Sequence, residues 1–356
     1  MARRAEVTVL PMAAPEDVSA LAAAIAEGRI VPERIVAVLA KTEGNGCVND
    51  FSRGLSVMAL RGLLAAHLPP ERLEALPMVM SGGTEGGLSP HWIIFQCLED
   101  AAPGDGPALA LASVVTRPLR PQEIGRPAQA ALVREAVTEA IARAGIAGPA
   151  DVHYVQVKCP LLTAARVAEA GGDVATDNML KSMGLSRGAS ALGVALALGE
   201  IADLPEGAIG RDYGLWSGRA SCSAGIELMT CEVVVMGQSA DWGGPLRIAH
   251  GVMQDAIDAP AVAALLERAA PGAGLQGAAG KVRAVLAKAE ASSHGAIRGL
   301  RHTMLDDSDI SSTRHARGFV GGMLAGLTGR TDLFVSGGAE HQGPDGGGPV
   351  ALIHEA

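Results

Sequence analysis

Apolar positions along the chain form short continuous runs and longer periodic stretches, and the two alternate in a fixed order. VTVLPM (7–12), the run ending at Lys41, the run ending at Ser81 and HWIIFQCLE (91–99) are rich in β-branched and aromatic residues and read as strands. Between them, 15–27 and a stretch from about Gly54 carry apolar residues at a 3.6-residue spacing and read as helices. The same order returns twice. The second round has strands at 108–117, up to Lys158, up to Ser223 and at 231–237, with helices at 127–144 and from about Gly188. The third has strands at 246–253, up to Lys288, up to Ser336 and at 350–355, with helices at 258–269 and from about Ser311. Turn-rich segments at Ala102–Pro107 and Gly237–Pro245 separate the rounds. The pattern predicts three βαβαββ units, 1–103, 104–240 and 241–356. The fold class is α/β: each unit has a strand layer under helices, and the three are related by a pseudo-threefold axis, with sheets closing around a central site and helices outside.

Three polar marks repeat inside these units. An apolar strand ends at Lys41, Lys158 and Lys288. A Ser/Ala-Arg-Gly follows, holding Arg53, Arg187 and Arg317 near the expected start of a helix. Then come Ser81-Gly-Gly-Thr-Glu85, Ser223-Ala-Gly-Ile-Glu227 and Ser336-Gly-Gly-Ala-Glu340. A single lysine at a strand end is ordinarily a snorkelling surface residue, and a single Ser-Gly is ordinarily a turn. Three copies in one order point instead to a shared polar site. The small residues after each serine let backbone N–H groups approach a ligand oxygen. An arginine beside a helix N-terminus gains nothing from the dipole, so an anionic or carbonyl partner accounts for it.

Composition narrows the function classes. The 356 residues carry a formal charge of −9, and nothing suggests the clustered basic surface that duplex nucleic acid requires. Nine aromatic residues (Phe 4, Trp 3, Tyr 2) are few for a single-strand binder. Five scattered cysteines without a CxxC pair exclude a zinc ribbon and fit a reducing, cytoplasmic setting. No run approaches the length of a membrane span, and the apolar run before Pro11 is too short for a secretion signal. Gly272–Gly277 matches GxGxxG but precedes a strand rather than following one, so no dinucleotide site is expected.

Serine beside a neutral lysine is a nucleophile–base pair. Burial and neighbouring arginines both push a lysine toward neutrality. Lys41 and Lys288 are each followed two positions later by a glutamate, Glu43 and Glu290, which on the same strand face favours the ammonium form; Lys158 is followed by Cys159-Pro160. Lys158 is therefore expected to lose its proton most readily, with Ser223 as nucleophile. Ser221 competes with Ser223, but only Ser223 aligns with the other two strands. The Gly343–Gly348 loop offers several carbonyls, and with Glu290 it makes a plausible seat for a hard cation.

VLAKTEGNGCVND, VMSGGTEG, VQVKCPLLT, SMGLSRGASALG, IAHGVMQDAID, RGLRHTMLDDSDISSTRHAR and VSGGAEHQGPDGGGP together resemble the cyanuric acid hydrolase/barbiturase family of ring-opening amidohydrolases, over the whole chain. The resemblance implies hydrolysis of one amide of cyanuric acid to carboxybiuret, which yields biuret and CO2. It implies Ser223 and Lys158 as the catalytic pair, with Lys41 and Lys288 in support. Substrate would be held by Arg53, Ser81, Gly82, Arg187, Ser223, Ala224, Arg317, Ser336 and Gly337. A structural Mg2+ or Ca2+ would sit on Glu290, Ala339, Gln342, Gly343, Pro344 and Gly347, with no organic cofactor. A homotetramer, with neither nucleic acid nor membrane as partner, is also implied. Barbiturate is the alternative substrate. From a different class, a non-catalytic binder of small cyclic metabolites is the other reading.

Overall fold

The computed structural model describes residues 2–101 and 106–356. The expected junction at 103/104 and most of the Ala102–Pro107 linker lie outside the described residues.

In the first third, β1 (Ala2–Pro11), α1 (Ser19–Ala26), β2 (Ile35–Thr42), α2 (Phe51–Leu64), α3 (Pro70–Glu74), β3 (Met78–Gly82) and β4 (His91–Ala101) follow in order. In the second come β5 (Ala108–Val115), α4 (Pro127–Ala144), β6 (Val152–Pro160), α5 (Ala164–Glu169), α6 (Met179–Ala197), β7 (Ala220–Gly225) and β8 (Glu232–Ser239). The third holds β9 (Trp242–Gly243), β10 (Leu246–Met253), α7 (Ala259–Ala269), α8 (Gly274–Lys281), β11 (Val282–Ala289), β12 (Ala296–Ile297), β13 (Leu300–Arg301), α9 (Ser312–Thr328), β14 (Phe334–Gly337) and β15 (Gly348–Glu355).

The three main sheets have one topology. Their strand orders are β3-β2-β4-β1, β7-β6-β8-β5 and β14-β11-β15-β10, so the unit's third strand is always at the edge beside its second. That edge pair is parallel and all other pairs within a unit are antiparallel. β9 adds to the outer edge of the first sheet by pairing with Arg3 and Arg4. The sheets stay separate rather than merging into one closed barrel, with helices around them.

Each sheet is buried on both faces, which is why its strands read as continuous apolar runs rather than alternating ones. The two faces nevertheless separate by period two. In β2, Ala37 and Leu39 join a core shared by all three units, while Val38 and Ala40 pack under α1 and α2. Lys41 is the next member of the Ala37–Leu39 series. In β11, Ala284 and Leu286 lead in the same way to Lys288, and Val285 and Ala287 face the helices. Strand alternation thus sends the lysines to the centre.

The largest shift of an expected boundary is in the middle unit, while β1 also begins at Ala2 rather than near Val7. The second helix of the middle unit begins at Met179, not near Gly188, because Asn178 caps it by accepting from the Lys181 N–H. Arg187 therefore lies in the middle of α6, two turns from the positive dipole end, and the expectation that each arginine stands at a helix start fails there. Arg53 is the third residue of α2, and Arg317 lies in the second turn of α9.

Candidate active site

Parallel register places each lysine directly beside the serine of its own unit: Lys41 beside Ser81, Lys158 beside Ser223 and Lys288 beside Ser336. This also resolves the middle unit, where Ser221 pairs with Gln156 two positions away. The lysines are almost fully enclosed, at 0%, 1% and 0% exposure. An ammonium so placed must find acceptors, and each finds one in a neighbouring unit. Lys41 Nζ donates to the Val335 carbonyl at 2.8 Å, Lys158 Nζ to Met80 at 2.6 Å and Lys288 Nζ to Cys222 at 2.8 Å. In every case the acceptor is the residue before a serine, so the edge strands β3, β7 and β14 are laced into a ring.

A second ring runs through the arginines. Arg187 clamps Glu340 through two hydrogen bonds of 2.7 and 2.6 Å, and Arg317 clamps Glu85 at 2.8 and 2.7 Å. Arg53 approaches Glu227 with its Nε at 3.5 Å. Each arginine thus reaches the glutamate four residues after the serine of another unit. These glutamates were visible as the last letter of the repeated Ser-x-x-x-Glu segments, but the sequence reading assigned them no task. Gly83 and Gly338, in the left-handed backbone region, permit the clamps: a Cβ on either would strike the guanidinium of Arg317 or Arg187.

The three copies are not equivalent. Lys41 and Lys288 donate to Ser81 Oγ and Ser336 Oγ at 3.3 and 3.2 Å. Lys158 lies 2.8 Å from Glu227 Oε1 instead, and Ser223 Oγ has no hydrogen-bond partner among the described residues. The expected electrostatic ranking of the lysines is corrected accordingly. Glu43 is exposed, and the acids acting on Lys41 are Glu85 and Asp50. Lys158 does have a carboxylate partner, supplied by the β7–β8 loop rather than by its own strand. Burial and then Arg317 hold Lys41 well below the ordinary lysine range. Burial and Arg187 push Lys288 down to about 7. Burial also lowers Lys158, with Glu227 opposing.

All three arginines and serines, with Gly82, Ala224 and Gly337, line one small central cavity, and Lys158 is the lysine that lines it with them. A wider cavity of about 830 Å3 adjoins it, sharing Gly46, Met183, Arg187, Arg317 and Gly337. Glu290, Ala339, Gly343 and Pro344 line that outer cavity. The Glu290 carboxyl is pushed up to about 7 by burial and by the charge of Glu340, and it makes no ion pair within 4 Å among the described residues. A half-buried carboxylate without a cation, next to a loop of carbonyls, suits a hard divalent ion. Gln342 is less free than its neighbours: its Oε1 accepts from the Cys222 N–H at 2.6 Å.

Among the described residues no helix is long and apolar enough to cross a membrane. Residues 6–355 match the family model described as amidohydrolase ring-opening protein. The chain is 58% identical over 354 residues to the cyanuric acid amidohydrolase of Azorhizobium caulinodans, covering 98% of each chain. It is 58% identical over 369 residues to the enzyme of that name from a Methylobacterium species, covering 99% of this chain and 97% of that one. A crystal structure of the A. caulinodans hydrolase superposes with a TM-score of 0.93 at 56% identity, covering 99% of both chains. A second cyanuric acid hydrolase structure, described as an evolutionary innovation by structural concatenation, superposes with a TM-score of 0.95 at 47% identity over the full length of both.

Proposed function

The chain belongs to the amidohydrolase ring-opening family, a family of hydrolases of cyclic amide C–N bonds, and we propose that it opens cyanuric acid to carboxybiuret, which then loses CO2 to give biuret. The observation that carries this reading is the threefold disposition of serine and arginine around one cavity. Cyanuric acid alternates three carbonyls with three N–H groups, so three equivalent donor sets can hold all three carbonyls at once. The likeness to enzymes named for this substrate supports the same choice. The identical strand order of the three sheets supports reading the chain as concatenated units 1–103, 104–240 and 241–356.

Within the site we assign Ser223 as nucleophile and Lys158 as base. Among the described residues the hydroxyl of Ser223 has no hydrogen-bond partner, unlike those of Ser81 and Ser336, and Lys158 lines the cavity beside it. Neutral Lys158 takes the Oγ proton as Oγ attacks a ring carbonyl; the C–N bond then breaks and the ring nitrogen receives that proton. Water then attacks the acyl carbon, giving a proton to the same lysine; the C–Oγ bond breaks and that proton returns to Oγ. Arg53, Arg187, Arg317 and the backbone N–H groups after each serine stabilise the charge developing on oxygen, supported by Lys41 and Lys288. The binding set is that of the sequence reading, with Gly82, Ala224 and Gly337 beside the serines.

Glu290 and the carbonyls of Ala339, Gly343, Pro344 and Gly347, with Gln342 beside them, would hold a structural Mg2+ or Ca2+. The ion would supply charge compensation that pins the loop following Ser336. A cytoplasmic homotetramer is proposed on the family resemblance alone.

The test offers cyanuric acid and barbiturate in parallel to the purified protein and to Ser81→Ala, Ser223→Ala and Ser336→Ala. Cyanuric acid is expected to be consumed much faster than barbiturate. Ser223→Ala is expected to lose about 10⁵-fold in kcat, the scale of a removed nucleophile. Faster loss of barbiturate, a covalent adduct on Ser81 or Ser336, or appreciable turnover by Ser223→Ala would overturn the assignment.

A further inference from the structure

Lys158 stands between two cavities. The central one holds the serines and arginines. The other, about 310 Å3, is lined by Lys158 and Glu227 together with Arg61, Glu74, Met78 and Glu232, and none of the serines or their neighbouring arginines reaches it. Glu232 is the residue directly opposite Lys158 across the antiparallel β6–β8 pair, so the two side chains share a sheet face. The counterpart positions carry no acid. Lys41 stands opposite His91, and in the third unit the register that pairs Ala287 with Val350 brings Pro349 next. A carboxylate behind the lysine is thus peculiar to the middle unit.

We propose that Glu232 and the cavity it lines form a proton exit for Lys158, separate from the substrate entrance. The inference rests on Lys158 being the base of the proposed reaction. Hydrolysis yields carboxybiuret as an acid, whose ionisation leaves one proton per turnover on Lys158; the ammonium hands it to Glu227: an Nζ–H bond breaks, an O–H bond forms and the amine is left neutral, with no change in net charge. The proton then passes to the carboxylate of Glu232 and on to water in the second cavity. Lys158 is thereby reset while product still fills the central cavity and shuts off that route to solvent.

The surroundings of Glu232 suit the task. It faces Lys158 on β6, Glu227 on the β7–β8 loop, Arg61 on α2, Glu74 on α3 and the Met78 N–H at the start of β3, which donates to Glu232 Oε2 at 3.1 Å. Burial pushes its carboxyl up to about 7 against that hydrogen bond and Lys158, so it exchanges protons near neutrality. Glu74, exposed at the same cavity, connects it to the outside.

The experiment measures kcat and KM of Glu232→Gln on cyanuric acid at neutral pH over a range of formate and imidazole concentrations. We expect kcat to fall roughly tenfold at low buffer, less than the roughly 10²–10⁴-fold cost of losing the acid–base group itself. KM should be unchanged, because Glu232 does not touch the substrate cavity. Small buffers should restore kcat in the variant and leave the wild type unaffected. If Glu232→Gln does not fold, Glu232→Asp is read the same way, with a smaller loss and the same buffer response. Unchanged kcat, or a loss that no buffer relieves, overturns the proposal. Ser223→Ala in the same assay separates the two levels. Turnover by that variant defeats the catalytic pair, whereas an inactive Ser223→Ala alongside a buffer-insensitive Glu232 variant defeats the proton exit alone.

Discussion

Two lysine–serine crossings, Lys288–Ser336 and Lys158–Ser223, have the same residues in the same register but opposite wiring. At the first, lysine donates to serine and the following Glu340 is fully occupied by Arg187. At the second, Glu227 lies 3.5 Å from Arg53 and 2.8 Å from Lys158, and the serine hydroxyl is released. The copies also differ three residues before each arginine, one turn back along the chain. Asp50 is there for Arg53, and its carboxylate, 3.5 Å away, competes for the guanidinium while capping α2. Gly184 is there for Arg187 and leaves it to Glu340 alone. Arg314 is there for Arg317 and adds a second cation to Glu85, with Nε at 2.9 Å. Arg53 donates instead to the Cys47 carbonyl at 2.9 Å, and of the three glutamates Glu227 is the one that lies within 4 Å of a lysine among the described residues. On the proposed reading, this is the copy suited to chemistry.

The largest effect should come from removing the glutamates one at a time. Glu227→Gln is expected to lower kcat by about 10²-fold, as for a group coupled to the base, with little change in KM. Glu340→Gln and Glu85→Gln instead leave an enclosed guanidinium unpaired. They should cost about 3 kcal/mol of stability and raise KM, with kcat falling less. Urea unfolding and steady-state kinetics on the three proteins decide the matter; three matching profiles would erase the distinction between the copies.

A smaller effect concerns Lys41, whose pKa burial and Arg317 depress, with Glu85 and Asp50 opposing only in part. Below its folded value the protein carries the full penalty of an enclosed ammonium. Between that value and the ordinary 10.5 the unfolded chain binds the proton and the native state does not, so native stability rises with pH. Against Lys41→Met, which removes the titration, wild-type melting temperature should gain as pH is raised through this window and level off above it. Parallel curves at all pH values would show that Lys41 remains protonated.

The smallest effect is expected at Glu290, which adds a second acid beside Glu340 and so sets the third unit apart from the other two. Glu290→Gln should lose bound divalent metal by elemental analysis and lower the melting temperature by about 1 °C, the shift that roughly 1 kcal/mol produces in a chain of this size. Unchanged metal content and stability would remove the ion from the description of this unit.

What the sequence determined by itself is whatever a local period or a repeated short segment can encode. Strand alternation set the inward direction of Lys41 and Lys288, and the serine segments aligned well enough to prefer Ser223 over Ser221 before any register was known. The helix 127–144 and the strand 246–253 were legible to the residue because Pro127 and Gly145 bound the one and the other is a short, mostly apolar run that begins just after Pro245. The start of α6 was not, since its Asn178 cap lies in a long polar excursion with no counterpart in the other units. Tertiary structure alone decided the partners. Each lysine's acceptor and each arginine's glutamate come from a different third of the chain, and the β7–β8 loop brings Glu227 to Lys158. Electrostatic energies follow distance in space and the loss of water around buried charge. The i, i+2 spacing of Lys41 and Glu43 could not reveal that the strand ends between them and sends the acid into solvent.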